Sequence, residues 1–500
     1  MRHHDLRSFL AELEHEGQLK RIAEPLDPRL EITALCQRAQ RQGGPALLIE
    51  RPHGSSFPFL GNLFGSEARV RRALTQRSVA TVRELGERLA GLKEPQWPGT
   101  VREALASLPV YGQLGLVPPR RVEDAPFLEC SQEGEAVDLG RWPVQTCHPD
   151  DAGPLITLGL VITQGPRGGR PNVAVYRMQV LGPRRVILRW LAHRGGALHY
   201  AAWREERPTE PFPVAVALGA DPATTLAAVA PVPDTLSEYE FAGLLRGARG
   251  RLWRSPHTGL DLPAGAEIAF EGHVQPGEAA DEGPFGDHTG YYNAVGRYPV
   301  LTVERLWHRR GAIYQGSWMG RPPHDEPSVL ASVLNDLFVP ILQKSLPEIR
   351  DFYLPPAACS YRVAVVSIRK RYPGHARRIM MAVWSYLRQF TYTKIVIVTD
   401  DDIDVRRWDD VLWAVSTRAD PERDCLILKD TPVDVLDFAS PTPGLGGKLG
   451  IDATHKGPAE TGRTWGRPIR PDPATERRID EVWSRCFGST AAAVGDEGAG

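Results

Sequence analysis

The chain has 500 residues, 42% of them hydrophobic and 24% charged, the balance of a folded water-soluble protein with room for about three domains. Its 60 Lys+Arg stand against 61 Asp+Glu, a net charge of −1, which excludes the basic excess of a dedicated nucleic-acid binder and leaves self-association unopposed. The six cysteines are scattered with no CxxC pair, which argues against a zinc site or a disulfide framework and fits a reducing compartment.

The first residues, Met1-Arg-His-His-Asp5, lead into a charged helical pattern with no apolar leader core. No apolar run approaches the ~20 residues that cross a bilayer, so a cytoplasmic protein is expected, with peripheral contact on the inner face of the membrane left open. Asp5 caps a predicted helix over 5–22, where Leu6, Phe9, Leu10, Leu13 and Leu19 recur at roughly helical spacing. A second helix is predicted from Glu31 to Arg41, and Pro45 to Glu50 reads as a buried strand. This alternation predicts a small α/β domain over residues 1–115.

From 116 to 324 short β-branched runs (155–163, 172–176, 214–218, 267–270 and 300–303) lie between Gly/Pro turns. They predict a mostly β domain, barrel or sandwich, interrupted by one helix over 235–245 that Thr235 or Ser237 caps. From 325 to 487 helices (329–343, 374–388) alternate with strands (361–367, 394–400, 425–428), as in a parallel α/β domain. Glu476 to Phe487 is a predicted last helix, and residues 488–500 are small, polar and expected to be disordered.

Four segments carry candidate chemistry. In Asn172-Val-Ala-Val-Tyr-Arg177, strand alternation puts Asn172, Ala174 and Tyr176 on one face and Val173, Val175 and Arg177 on the other. In Leu188-Arg-Trp-Leu-Ala-His-Arg-Gly-Gly196, Arg189, His193, Arg194 and two glycines can cradle a phosphate, or can form an ordinary turn after a strand. Glu238, at a helix start, can bind a cation or act as a capping-box acid or dipole partner. In Glu282-Gly-Pro-Phe-Gly-Asp-His-Thr-Gly290, two carboxylates straddle a turn of little bulk. Their proximity is expected to push one pKa up and make a proton donor near neutral pH, while Arg177 holds the other ionised. Weaker candidates are Asp400-Asp-Asp402 at a strand end, the Gly444-Leu-Gly-Gly-Lys-Leu-Gly450 stretch, which reads as a flexible loop, and Met380-Met381, which reads as core.

Taken together, and in this order, the segments resemble the UbiD family of decarboxylases, and within it the ubiquinone-biosynthesis branch. The stretches that carry the resemblance are Arg189 to Leu198, Pro231 to Tyr239, Glu282 to Asn293 and Asp437-Phe-Ala-Ser440, and the likeness runs from Asp5 to the Trp465 region. It implies prenylated FMN as cofactor, lined by Val175, Tyr176, Arg177, Arg189, Trp190, Leu191, Arg194 and Gly195. It implies Mn²⁺, or K⁺, on Asn172 and Glu238 with His193 as third ligand, where it also meets the cofactor phosphate. Arg177, Glu282 and Asp287 would form the catalytic trio: Arg177 orients the substrate carboxylate or polarises the flavin, Asp287 returns a proton to the ring carbon, and Glu282 tunes both. Many family members carry Glu where this chain has Asp287, and the shorter arm fits the ubiquinone branch.

The implied reaction is loss of CO₂ from a 3-polyprenyl-4-hydroxybenzoate to give a 2-polyprenylphenol, with the cofactor as electron sink. The implied fold is α/β with a central β domain: an N-terminal α/β domain, a split β-barrel of flavin-reductase type and a C-terminal α/β domain with a terminal helix. Homo-oligomers, often hexamers, and a flavin prenyltransferase that supplies the cofactor are the implied partners. The rival readings are a decarboxylase of small phenolic or cinnamic acids and a flavin-binding oxidoreductase on the same scaffold.

Overall fold

The computed structural model describes residues 3–75, 81–93, 118–230, 236–359, 361–386, 388–467, 469 and 472–487. The candidate cap Thr235, the 231–235 part of the Pro231–Tyr239 stretch and the 488–500 tail lie outside the described residues. The chain divides into two units, Met1–Thr454 and His455–Gly500.

The first unit opens with helix α1 (Leu6–His15), whose cap Asp5 accepts the Ser8 N–H at 2.9 Å. The predicted helix over 5–22 overshoots. Gly17, at φ +70°, ends it, and Leu19 falls in strand β1 (Leu19–Ile22). Helix α2 (Glu31–Arg41) and strand β2 (Ala46–Ile49) follow where the sequence places them. Strand β2 pairs parallel with β1 and antiparallel with β3 (Phe59–Gly61), and Tyr314–Gln315 closes this sheet from far along the chain.

The central sheet is nine-stranded, and every pairing in it is antiparallel. Its strands are β4 (Cys130–Glu133), β5 (Leu155–Ile156), β6 (Leu160–Gly165), β7 (Gly168–Val175), β8 (Met178–Gly182), β9 (Arg185–Leu188), β10 (Phe212–Leu218), β11 (Ile268–Glu282) and β12 (Gly296–His308). They run in the order β5-β8-β9-β12-β11-β10-β6-β7, with β4 added on β12. The end strands β5 and β7 do not pair with each other, so among the described residues the sheet is open and no closed barrel forms. Both faces of β10 are buried: Phe212, Val214, Val216 and Leu218 enter one core and Ala215 and Ala217 another, which explains its near-continuous apolar run.

Helix α3 (Gly195–Glu206) lies between β9 and β10, and helix α4 (Glu238–Arg246) precedes β11. Ser237, not Thr235, caps α4, with Glu240 completing the capping box. Helix α5 (Glu326–Ser345) joins two cores. Val333, Leu337 and Ile341 pack into the N-terminal cluster, while Val339 and Leu342 belong to the C-terminal one. Beyond it stands a five-stranded sheet with a parallel middle, Val363–Ile368, Ile395–Asp400 and Leu445–Ala453, and antiparallel edges Ile349–Tyr353 and Cys425–Pro432. This confirms a mixed α/β architecture.

In the second unit Pro473–Phe487 is helical, and Ile479, Trp483 and Phe487 stand exposed at i, i+4 and i+8. All six cysteines are free thiols. No helix among the described residues is long and apolar enough to cross a membrane.

Candidate active site

Strand β7 ends at Val175, so the alternation read from the sequence stops short of Arg177. Tyr176 and Arg177 occupy the two-residue break before β8, and both side chains turn inward and are buried. Glu282 is the last residue of β11, opposite Gly296 in the ladder, and it is fully buried. The loop after it folds back on itself. Phe285 donates its N–H to Asn293 Oδ1 at 2.9 Å, and Asp287 donates its N–H to the Tyr291 carbonyl at 3.0 Å. Asp287 is thereby set against the same guanidinium that Glu282 reaches.

Arg177 grips Glu282 with two hydrogen bonds, Nε to Oε1 at 2.8 Å and Nη2 to Oε2 at 3.0 Å. Its Nη1 donates to Asp287 Oδ2 at 2.8 Å and its Nη2 also to Asn293 Oδ1 at 2.8 Å. Four of its five N–H donors are thus engaged, which leaves one on Nη1 for a ligand. The guanidinium also lies 5.3 Å from the centre of the Phe285 ring. Arg189, one residue beyond β9, donates from Nη1 to the same Asp287 Oδ2 at 3.0 Å, and its Nε stands 3.8 Å from Glu282. Asp287 Oδ1 accepts the backbone N–H of His288 at 2.8 Å and lies 2.9 Å from its Nδ1.

These contacts reverse one expectation. Burial raises the Asp287 carboxyl, but the hydrogen bond and charge of His288, with Arg177 and Arg189, outweigh it and hold the group well below the usual carboxylate range. Arg177 is shared by the two acids, gripping Glu282 with two hydrogen bonds and Asp287 with one. Asp287 is therefore ionised in this arrangement.

A second cluster forms where α3 begins. The sequence reads here as a phosphate cradle or as a turn after a strand, and Gly195 and Gly196 open not a turn but a 12-residue helix whose first turn has no acidic residue. Such a helix start directs backbone N–H groups and positive dipole at an anion. A Cβ on Gly195 would meet Asn172 Oδ1 at 2.0 Å, and one on Gly196 would meet Trp190 Nε1 at 2.8 Å, so only glycine fits. The Gly196 N–H donates to the Tyr176 hydroxyl at 3.0 Å. Asn172 Nδ2 and Trp190 Nε1 are buried with no hydrogen-bond partner among the described residues.

Glu238 reaches the same strand, accepting the Val173 N–H at 3.3 Å. Burial raises its carboxyl above the ordinary value, against the pull of its own and the Val173 N–H and of Arg170. Because Glu240 serves the capping box, the capping-box role read for Glu238 falls away, while its place in the first turn of α4 keeps the role of dipole partner. The His193 ring lies tilted against that of Tyr392, ring centres 5.9 Å apart. Val175 and Leu191 are half-buried, and Arg194 is exposed at the cap of α3.

Three weaker candidates resolve structurally. Gly444–Gly450 is not a flexible loop. Leu445–Ala453 is a strand inside the C-terminal sheet, and Lys448 Nζ donates to the carbonyls of Thr391, Thr393 and Pro432 at 2.5, 3.1 and 3.2 Å. Asp400 and Asp402 both bind the buried Arg418, Asp402 bidentately. Met380 is core, whereas Met381 is exposed.

Profiles of three family domains match this chain: the 3-octaprenyl-4-hydroxybenzoate carboxy-lyase N-terminal domain over residues 10–89, its Rift-related domain over 120–322 and its C-terminal domain over 328–453. The chain belongs to the UbiD family. Among solved structures, this UbiD-family decarboxylase is similar to the UbiD-class enzyme HmfF from Pelotomaculum thermopropionicum, solved in complex with FMN. The identity is 31%, the TM-score 0.78, and 95% of this chain and 100% of that one are covered. An evolved dimeric form of HmfF in complex with prFMN matches at 31% identity and TM-score 0.76, covering 95% and 98%. The vanillic acid decarboxylase of Sedimentibacter hydroxybenzoicus in closed form matches at 27% identity and TM-score 0.83, covering 97% and 99%.

One residue of the candidate site escapes a sequence reading. Asn293 clamps Arg177 to the loop, and it carried a signal only as the last residue of the Glu282–Asn293 stretch. Arg189, read from sequence as a cofactor contact, also reaches Asp287.

Proposed function

We propose that this UbiD-family decarboxylase uses prenylated FMN to remove CO₂ from a 3-polyprenyl-4-hydroxybenzoate, giving a 2-polyprenylphenol for ubiquinone biosynthesis. The observation that carries the decarboxylase chemistry is the buried Arg177 shared by Glu282 and Asp287. The family description supports the substrate, and the FMN and prFMN complexes of HmfF support the cofactor. The similarity to vanillic acid decarboxylase favours the second reading, a small phenolic acid as substrate.

The residues present fit the cofactor and a cation. The acid-free helix start at Gly195 and the unpartnered Asn172 amide and Trp190 indole N–H suit a phosphate-bearing flavin. Glu238 and the Asn172 amide are the hard oxygen donors that Mn²⁺, Mg²⁺ or K⁺ takes, with His193 proposed as the third ligand. When bound, prenylated FMN supplies an electron sink at the ring carbon that loses CO₂. Arg177, with one donor free, steadies the substrate carboxylate or polarises the flavin. Glu282 fixes the Arg177 fork in place. Asp287 delivers the proton that replaces CO₂ on the ring carbon. Tyr176, Trp190, Leu191, Val175 and Arg194 complete the cofactor wall.

The nine-stranded sheet is the part we assign to a split-barrel flavin domain, with 1–115, 116–324 and 325–487 as the three domains and the 488–500 tail outside them. The exposed Ile479, Trp483 and Phe487 stripe suits a homo-oligomer, a hexamer in the family pattern. The proposed location is the cytoplasm and the inner membrane surface, where so lipophilic a substrate resides.

The test is to express the chain with and without a flavin prenyltransferase, and to assay prenylated and unprenylated 4-hydroxybenzoates, vanillate and cinnamates for CO₂ release. Turnover of the prenylated acid only after co-expression is expected, and Asp287→Asn should keep fold and flavin but lose most turnover. Plain FMN with NAD(P)H oxidation would favour an oxidoreductase. Turnover of vanillate alone would move the substrate to the second reading.

A further inference from the structure

Asp287 faces a problem of proton supply. It must deliver one proton per turnover, yet it stands ionised among four donors. Two of those donors are arginines, which do not give up protons in proteins, and one is a backbone N–H. The fourth is the His288 imidazole, the one donor of the four whose ring can both take up and give up a proton.

Its place suits a supply route. Nδ1 lies 2.9 Å from Asp287 Oδ1, and the other ring nitrogen, Nε2, lies 3.7 Å from Asp434 Oδ2. That Nε2 is buried without a hydrogen-bond partner among the described residues. Asp434 is held in turn by the Tyr361 hydroxyl at 2.9 Å and faces Arg362 at 3.7 Å. The His288 side chain is 20% exposed against 3% for Asp287, so the imidazole is the more solvent-accessible of the two. The charged groups facing the ring are Asp287 from its own loop, Asp434 from the segment after Cys425–Pro432, and Asp325 at the cap of α5.

We propose that His288 is a positioning residue that reprotonates Asp287, with Asp434 anchoring the far side of the ring. The Nδ1–H of the imidazolium passes to Asp287 Oδ1, which leaves a neutral imidazole and a neutral carboxylic acid. The acid's O–H bond then breaks as the ring C–H bond forms, and Asp287 returns to carboxylate. The imidazole regains its proton from water. Each cycle consumes one proton, as loss of CO₂ from a carboxylate requires. Asp434 keeps the ring oriented along this line. The proposal deepens the reading of Asp287 as proton donor and rests on it.

The test uses holoenzyme loaded by co-expression and whichever aromatic acid it turns over. His288→Gln keeps an amide that can donate to Asp287 but has no proton to give. The expected result is a fall in kcat of about 100-fold with KM within about twofold, loss of the near-neutral limb of the pH–kcat profile, and partial rescue by added imidazole. Asp434→Asn should act in the same direction by about tenfold, and it carries the test if His288→Gln does not fold. In protein without cofactor, the Asp287 carboxyl followed by ¹³C NMR should titrate at higher pH in His288→Gln. A wild-type kcat and pH profile in His288→Gln, beside an inactive Asp287→Asn, would overturn the relay and leave Asp287 as the donor. Full turnover by Asp287→Asn would instead overturn the reading on which the relay rests.

Discussion

Glu326 offers a direct test of how this fold handles a buried charge. It is the first residue of α5 and 1% exposed, and its Oε1 accepts the Phe64 N–H at 2.9 Å. Burial pushes its carboxyl from the ordinary 4.5 up to about 7, outweighing the opposing pull of Ser317, the Phe64 N–H and Arg69. Between those two pH values the unfolded chain has lost the proton that the folded chain still holds. Stability therefore falls as pH rises, by about 1.4 kcal/mol per pH unit and about 3 kcal/mol across the window. It is fully present below about pH 4.5, and the loss is complete above about pH 7. Glu326→Gln copies the protonated shape, and its amide oxygen still accepts the Phe64 N–H. The variant should match the wild type near pH 4.5 and exceed it by about 3 kcal/mol at pH 8. Denaturant unfolding of both chains at stepped pH measures the difference. Curves that stay parallel from pH 4.5 to 8, or a variant less stable at pH 8, would refute the reasoning.

Two further outcomes are expected. Gly195→Ala puts a methyl where Asn172 Oδ1 stands 2.0 Å away, so flavin occupancy after desalting should fall by roughly tenfold while the melting temperature moves by a few degrees. Undiminished flavin would remove the α3 start from the cofactor site. Burial holds the Lys448 ammonium down to about 8, so in the folded state it loses its proton before the unfolded chain does at about 10.5. Stability relative to Lys448→Met should therefore rise between pH 8 and pH 10, and a flat difference in unfolding midpoints would contradict this.

What the sequence makes legible follows from which signals are local. Asp5, Ser237 and the Glu31–Arg41 periodicity are local, and they appear where expected or within a residue. Helix α3 is hidden because it opens on two glycines and buries only Gly196 and Trp203, so it has neither a cap signal nor an apolar stripe. The Leu445–Ala453 strand is hidden by its glycines, which tertiary packing demands. A Cβ on Gly450 would strike Met380 Sδ at 2.4 Å. At the site, Glu282 and Asp287 declare themselves through their loop. Their sharing of Arg177, the turning of Arg189 onto Asp287 and the reversed pKa depend on strand ends 100 residues apart in sequence, which no local pattern encodes.

The two clusters are not independent. Tyr176–Arg177 and Arg189–Trp190 are adjacent pairs, and in each pair one side chain faces the carboxylates while its neighbour faces the start of α3. Arg177 and Arg189 converge on Asp287 Oδ2 at 2.8 and 3.0 Å. Tyr176 takes the Gly196 N–H, and Trp190 closes over the same glycine, with the two rings edge to face at 6.4 Å. A peptide bond joins each residue that faces the start of α3 to an arginine that grips Asp287, so a shift of the cradle carries the arginines with it. A displacement near 1 Å is enough to cost about 100-fold in a positioned reaction. Changes at Gly195 or Gly196 should therefore register at Asp287 even in variants that still bind flavin.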